Sequence, residues 1–269
     1  MNFAALTDSQ SVHRYKLIDF WGIRKGARVL EIGCGQGYAT KVLADAVGTN
    51  GFVYAIDNAQ PDYGSPMTLA EAKEELLISS LGKRIHMEFK INILNDDIQF
   101  KENEFDFIVM SHCSWYLASS DEFMAILEKV KPWGEKLCFA EWDITPILPE
   151  QVPHYLTVSL QAHCECYKKP GISDNNIRTL FSPIDIKKLI TSSGWDVNDE
   201  TTVFSPDLLD CRWEIMNLLS DETRNFIKYC DDMPDKLKEF LYSQMELLST
   251  YNLLDTKPLC VYAVTAIKN

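Results

Sequence analysis

The chain has 269 residues, 46% apolar and 24% charged, enough to bury one sizeable core. Its formal net charge of −13 argues against a basic phosphate-binding surface, so nucleic acid is not an expected partner. The opening stretch MNFAALTDSQSVHRYK lacks the apolar stretch of a secretory signal, and no run of 18 or more apolar residues occurs. The eight cysteines therefore read as reduced thiols, and the expected setting is cytoplasmic, with no membrane span.

A helix is predicted from about Asp8 to Trp21, with Val12, Tyr15, Leu17, Ile18 and Trp21 as its apolar positions. Ala27–Ile32 is a short apolar run suited to a buried parallel strand, and it leads into GCGQG. Ala39, Val42, Leu43 and Ala46 then recur at helical spacing until Gly48. A second strand, Phe52–Ile56, ends at Asp57. The PDYGSP loop breaks the chain before a helix from about Thr68 to Ser80. Alternation predicts a strand over 85–91, and Phe105–Met110 reads as the next one. Asp121–Val130 reads as a helix and Leu137–Trp142 as a fifth strand. Further on, Pro183–Thr191 reads as a helix, Trp195–Phe204 as a strand, 206–251 as helical and Pro258–Ile267 as a closing strand. Such alternation implies an α/β, Rossmann-like, mainly parallel seven-stranded sheet with helices on both faces. One domain is expected, with a core of about 10–145, 183–205 and 257–269 and a helical cap inserted in the C-terminal half from about 146–182 and 206–256.

The segment VLEIGCGQG carries the most chemistry. A strand must turn into a helix there while its backbone passes close to a ligand. Gly33, Gly35 and Gly37 allow the turn and remove the Cβ atoms that would block approach. A dinucleotide site normally reads Gly-x-Gly-x-x-Gly; here Tyr38 stands at the third glycine's place, which argues against a pyrophosphate seat and a nicotinamide oxidoreductase. Asp57, at the end of the second strand, is placed to accept hydrogen bonds from both hydroxyls of a ribose.

The segments GARVLEIGCGQG, VYAID, FDFIVMSH and KPWGEKLCFAEW stand in an order that resembles class I S-adenosylmethionine-dependent methyltransferases, best over residues 10–145. DNAQPDYGSPMTLAEA, INILNDD, AEWD and NIRTLFSP look like a subgroup labelled cyclopropane-synthase-like, a label that names no substrate. The resemblance implies S-adenosyl-L-methionine as cofactor and methyl transfer to a small-molecule acceptor. A cofactor-binding protein without transfer and a cyclopropane-synthase-like lipid-modifying enzyme are the alternatives. It implies a cofactor site of Glu31, Gly33, Cys34, Gly35, Gly37, Asp57, Asn58, Asn92, Ile93, Ser111 and His112. In that site Glu31 lies near the amino-acid end, Asn92 and Ile93 at the adenine, and Ser111 and His112 beside the methionine part. Tyr63 is placed either over the adenosine or as a turn aromatic packed on the helix.

Methyl transfer is an in-line displacement on an activated sulfonium, so alignment supplies much of the catalysis and an oxygen or nitrogen nucleophile also needs a base. His112 and Glu141, both at strand ends, are the candidate catalytic residues, the alternative for each being a structural role. Trp115, Tyr116, Trp142 and Arg178 are the candidate acceptor-pocket residues. His154, His163, Cys164 and Cys166 fall in one segment, but a single Cys-x-Cys pair lacks the spaced pairs of a zinc site, and Leu156, Leu160, Cys164 and Tyr167 lie at helical spacing; no metal is expected. The oligomeric state is left open, a homodimer among the options.

Overall fold

The computed structural model describes residues 3–64, 67–168 and 177–268. The elements in chain order are α1 (Phe3–Trp21), β1 (Arg28–Ile32), α2 (Tyr38–Val47), β2 (Phe52–Ile56), α3 (Leu69–Ile78), β3 (Ile85–Glu88), β4 (Phe105–Ser111), α4 (Ser120–Val130), β5 (Gly134–Trp142), α5 (Val152–Glu165), α6 (Pro183–Ser192), β6 (Trp195–Val203), α7 (Asp210–Leu218), α8 (Asp221–Tyr229), α9 (Asp235–Ser249) and β7 (Val261–Lys268). The strands form one seven-stranded sheet in the order β3-β2-β1-β4-β5-β7-β6. Neighbours are parallel except at β7, which runs antiparallel to β5 and to β6. The expected mainly parallel sheet of seven strands is what forms.

The central strands are buried on both faces, as their unbroken apolar sequences require. Alternate residues of β1 feed two cores. Val29 packs with Leu17, Ile18 and Trp21 of α1 and Val42, Leu43 and Val47 of α2. Leu30 packs on the other face with Phe123, Ile126 and Leu127 of α4 and Ile186 and Ile190 of α6. Each such buried side chain contributes about 1.5–3 kcal/mol. A third apolar cluster joins α5 to α7, α8 and α9 through Leu160, Cys164, Ile215, Ile227, Leu241 and Met245. Local chemistry starts the helices where the sheet needs them. Thr68 and Glu71 form a reciprocal cap on α3, and Ser182 and Asp185 form another on α6.

Several boundaries differ from expectation, and each has a local reason. The strand predicted over 85–91 stops at Glu88, because Lys90 takes a left-handed φ of 62°. The chain then docks on the tip of β2: Lys90 N donates to Ala59 O at 3.2 Å and Ile91 N to Asp57 O at 3.0 Å. Helix α1 begins at Phe3 rather than near Asp8, β5 begins at Gly134 rather than Leu137, and β7 begins at Val261 rather than Pro258. Of the segment expected over 146–182, residues 169–176 lie outside the described residues, as do Ser65 and Pro66 of the PDYGSP loop. The order of strands reverses at β1, whose neighbours are β2 and β4. In an open α/β sheet ligands bind at the carboxyl edge of such a switch point.

Candidate active site

The turn out of β1 is tied to β2 by backbone bonds. Gly33 N and Cys34 N both donate to Ile56 O, at 2.9 and 3.1 Å. Gly33 has φ +75°, and a Cβ there would sit 2.5 Å from Cys113 Cβ, so this glycine lets the β1 and β4 loops touch. Gly35 has φ +50° and nothing within 4 Å of where its Cβ would be, so its Cα faces open space. Gly37 caps α2 in a left-handed conformation. Asp57 closes the cradle: Oδ2 accepts from Gly35 N at 2.7 Å and Oδ1 from Ala59 N at 2.9 Å.

Glu31 is 2% exposed and accepts from Thr40 Oγ1 at 2.6 Å. Burial pushes its carboxyl up to about 8, against the Thr40 hydrogen bond and the nearby Arg14 guanidinium. Cys34 is buried and Asn58 is exposed. Asn92 uses its side-chain oxygen on its own loop, accepting from Leu94 N at 2.9 Å, and Ile93 packs into the core at 4% exposure. Tyr63 bridges its loop to α3, its backbone oxygen accepting from Leu69 N at 2.8 Å.

At the end of β4, Ser111 is buried and its Oγ has no partner. His112 adopts φ 53°, a conformation costly for a residue with a side chain and held here by its N–H bond to Ala140 O at 2.8 Å. Its Nε2 lies 2.9 Å from His13 Nε2, and His13 Nδ1 lies 3.0 Å from Ser205 Oγ, so the two rings and the hydroxyl form one chain. His112 Nδ1 faces Glu141 Oε1 at 3.6 Å, beyond direct hydrogen-bond reach. Glu141 is 1% exposed. Its Oε2 accepts from Ser114 N, Ser114 Oγ and Trp115 N at 2.9, 2.8 and 3.3 Å, and its Oε1 from Trp142 N at 3.0 Å. Burial nevertheless pushes its carboxyl up to about 7.

Beside this chain lies a cavity of about 170 Å³. The strand ends supply His112, Glu141 and Trp142, and the loop after β4 supplies Trp115 and Tyr116. Arg14 of α1, His154 of α5 and Asp210 and Glu214 of α7 complete the lining. Arg14 joins the two halves of the site, its guanidinium lining the cavity and lying 6.0 Å over the ring of Tyr38 at the start of α2. Arg178 does not line it; its Nε lies 3.7 Å from Glu165 Oε1, and its N–H braces Trp115 O at 2.7 Å.

Sequence reasoning missed His13, Arg14, Asp210 and Glu214, and it weighed His154 only as a metal ligand. A signal for His13 was present: His13, Leu17 and Trp21 follow one another at i, i+4 and i+8, so a polar ring stands on the core-facing stripe of α1. Glu214 likewise follows Asp210 by one turn, beside the buried Cys211 and Ile215.

The buried titratable groups predict the acid stability profile. Burial lowers the basicity of His13, His112 and His154, the last to about 3, so the fold holds them neutral. Below about 6.5 the unfolded chain takes up protons that the fold refuses, and each ring removes up to about 1.4 kcal/mol per pH unit. Glu31, Glu141 and Glu214 work in the opposite sense, with burial raising them to about 8, 7 and 7 from 4.5. Their protonation favours the fold as pH falls from 7 to 4.5 and adds nothing below. The two sets offset each other between about 6.5 and 4.5; below that the histidines are joined by Glu71, Glu88 and Glu200, whose carboxyls hydrogen bonds hold below 4.5 in the fold. Urea unfolding at half-unit pH steps is expected to show a nearly level midpoint over that window and a steep loss beneath it. A midpoint still level at about pH 3.5 contradicts the neutral-histidine assignment.

The strand order with an antiparallel β7, the glycine turn from β1 into α2 and the carboxylate at the tip of β2 define a class I methyltransferase fold. The family profile described as a methyltransferase domain matches residues 23–252, and the chain belongs to that family. A crystal structure of a cyclopropane-fatty-acyl-phospholipid synthase-like protein from Lactobacillus casei ATCC 334 superposes with a TM-score of 0.84 at 29% identity, covering 97% of this chain and 92% of that one. Methyltransferase phomM' of Diaporthe leptostromiformis is 24% identical over 261 residues; the match takes in 81% of this chain and spans only 65% of that relative's length. Demethylmenaquinone methyltransferase of Geobacillus sp. (strain WCH70) is 29% identical over 120 residues, 43% of this chain and 46% of that protein.

Proposed function

We propose that the chain transfers a methyl group from S-adenosylmethionine to a small polar acceptor held in the cavity beside His112. The observation that carries this reading is the open cradle at Gly35, where a left-handed glycine with free space at its Cα is hydrogen-bonded to Asp57. The group fits: Asp57 retains acceptor capacity for ribose hydroxyls, the Gly33–Gly37 backbone admits close approach, and Glu31 with Arg14 offers a carboxyl and a guanidinium to an amino-acid end. When bound, the cofactor supplies an electrophilic methyl group. The chain's own part is alignment and proton handling. The Ser205–His13–His112 chain can pass a proton away from an acceptor, and neutral His112 is in the protonation state a base requires. The helices α5 and α7 wall the cavity on one side. An ionisable and aromatic lining favours a polar acceptor over an acyl chain. Among the described residues no helix is long and apolar enough to cross a membrane.

Titration calorimetry tests the cofactor site. Asp57→Ala is expected to weaken S-adenosylmethionine binding about tenfold or more, the loss of one or two charge-assisted hydrogen bonds. Because Asp57 also holds Gly35 N and Ala59 N, a modest fall in Tm accompanies it. Unchanged affinity in Asp57→Ala places the cofactor elsewhere and defeats the reading.

A further inference from the structure

Resting on the methyltransferase reading, we infer that the acceptor is a small molecule carrying a protonated amine and, a few atoms away, an oxygen that accepts hydrogen bonds. Three carboxylates from two elements, Glu141 of β5 and Asp210 and Glu214 of α7, converge on one cavity, whose lining includes a single guanidinium, Arg14. Among the described residues, Arg14 acts electrostatically on Asp210 without forming a salt bridge to it, and no cation stands against Glu141 or Glu214. Asp210 is held by Gln10 Nε2 at 2.8 Å and Glu214 by Gln161 Nε2 at 2.8 Å, both neutral donors. The two histidines at the wall add no cation, since burial keeps His112 and His154 neutral. A cationic guest supplies the missing counter-charge.

A second, independent observation points to the guest's oxygen. His154 is 0% exposed, and its Nδ1 accepts from Leu259 N at 2.9 Å, so in the neutral ring Nε2 carries the hydrogen. That Nε2 has no partner, and neither has the indole Nε1 of Trp115, which is 3% exposed. Both rings line the same cavity. Buried N–H groups left unpaired cost about 1–3 kcal/mol each, which a bound oxygen acceptor removes. At about 170 Å³ the cavity is below the usual ~300–1,000 Å³ of a drug-sized site, so the guest is small.

The chemistry balances. The ammonium yields one proton to a cavity carboxylate, and its freed lone pair forms the new N–CH3 bond. The methyl–sulfur bond breaks with its electron pair retained by sulfur. The product leaves as a methylammonium of the same charge, and the carboxylic acid returns its proton to water.

The test uses full-length protein and probes in matched sets: ethanolamine, ethylene glycol and glycolate; benzylamine, benzyl alcohol and benzoate. Ligand-observed NMR measures binding with and without S-adenosylmethionine, and release of the demethylated coproduct measures turnover. At least one amine is expected to bind tenfold or more tightly than its alcohol and carboxylate partners and to drive coproduct release. Glu214→Gln, a near-isosteric change that keeps a partner for Gln161, is expected to reduce that preference at least fivefold. Asp210→Asn provides a second variant should the first fold poorly. Preference for the alcohols or carboxylates, no binding by either amine, or an amine preference untouched in both variants overturns the inference. Calorimetry of S-adenosylmethionine on the same samples separates the two layers: intact cofactor binding with no amine preference removes this proposal alone, and absent cofactor binding removes the methyltransferase reading.

Discussion

Gly35→Val is expected to abolish cofactor binding while leaving a folded protein. The glycine's Cα faces open space, so the added Cβ meets no protein atom within 4 Å, and the isopropyl group fills the cradle. A left-handed φ of +50° for a β-branched residue costs about 1–2 kcal/mol, a Tm reduction of roughly 2–4 °C in a chain of this size. Against that modest fall, the affinity for S-adenosylmethionine is expected to drop about a hundredfold or more, ~2.8 kcal/mol at 1.4 kcal/mol per decade. Gly33→Ala provides the contrast. Its new Cβ would lie 2.5 Å from Cys113 Cβ, so the β1 and β4 loops must part, and the loss appears in stability, about 1–3 kcal/mol of overpacking plus the left-handed strain. Calorimetry and thermal melts on both variants check the pair. Full affinity in Gly35→Val means the space beside that glycine is not where the cofactor lies.

The largest stability effect is expected at Glu141. Its carboxylate takes four hydrogen bonds from Ser114, Trp115 and Trp142 and fastens the turn after β4 to the end of β5. In Glu141→Ala those donors lose their acceptor inside the protein, a loss of about 3–5 kcal/mol, offset in part because a buried carboxylate raised to about 7 is itself costly to ionise. In Glu141→Gln the amide oxygen can serve Ser114 while its NH2 is forced against Trp142 N–H, so about 1–3 kcal/mol is lost. Urea unfolding at pH 7 should rank wild type, Gln and Ala in that order. If Gln and Ala are both as stable as wild type, Glu141 is not a structural pin. The same residue lines the cavity, so a fall in turnover in either variant has to be read against the fraction folded.

Much of the glycine turn and its partner at the tip of β2 was legible because their signals are local. The spacing of Gly33, Gly35 and Gly37, the acid at the tip of β2 and the apolar run of β1 each lie within a few residues of the feature they specify. Periodicity placed the strands Phe52–Ile56 and Phe105–Met110 to within a residue. It overran at β3, where alternation continued to Ile91 but backbone bonds to Asp57 and Ala59 drew the chain out of the sheet. Arg178 read as a candidate acceptor-pocket residue, yet its guanidinium faces Glu165, a pairing between segments that no spacing encodes.

By itself, then, the amino-acid order settled the layered α/β sheet and the position of the glycine turn, since hydrophobic period and glycine's left-handed freedom act over short stretches of chain. The folded chain alone decided the chamber. Gln10 meets Asp210 across 200 residues, His13 meets His112 across 99, and Leu259 fixes the ring of His154 from 105 residues away. Such contacts arise when helices from opposite ends of the chain pack over one sheet edge, and the burial that perturbs each carboxyl and imidazole there comes from neighbours supplied by the other elements.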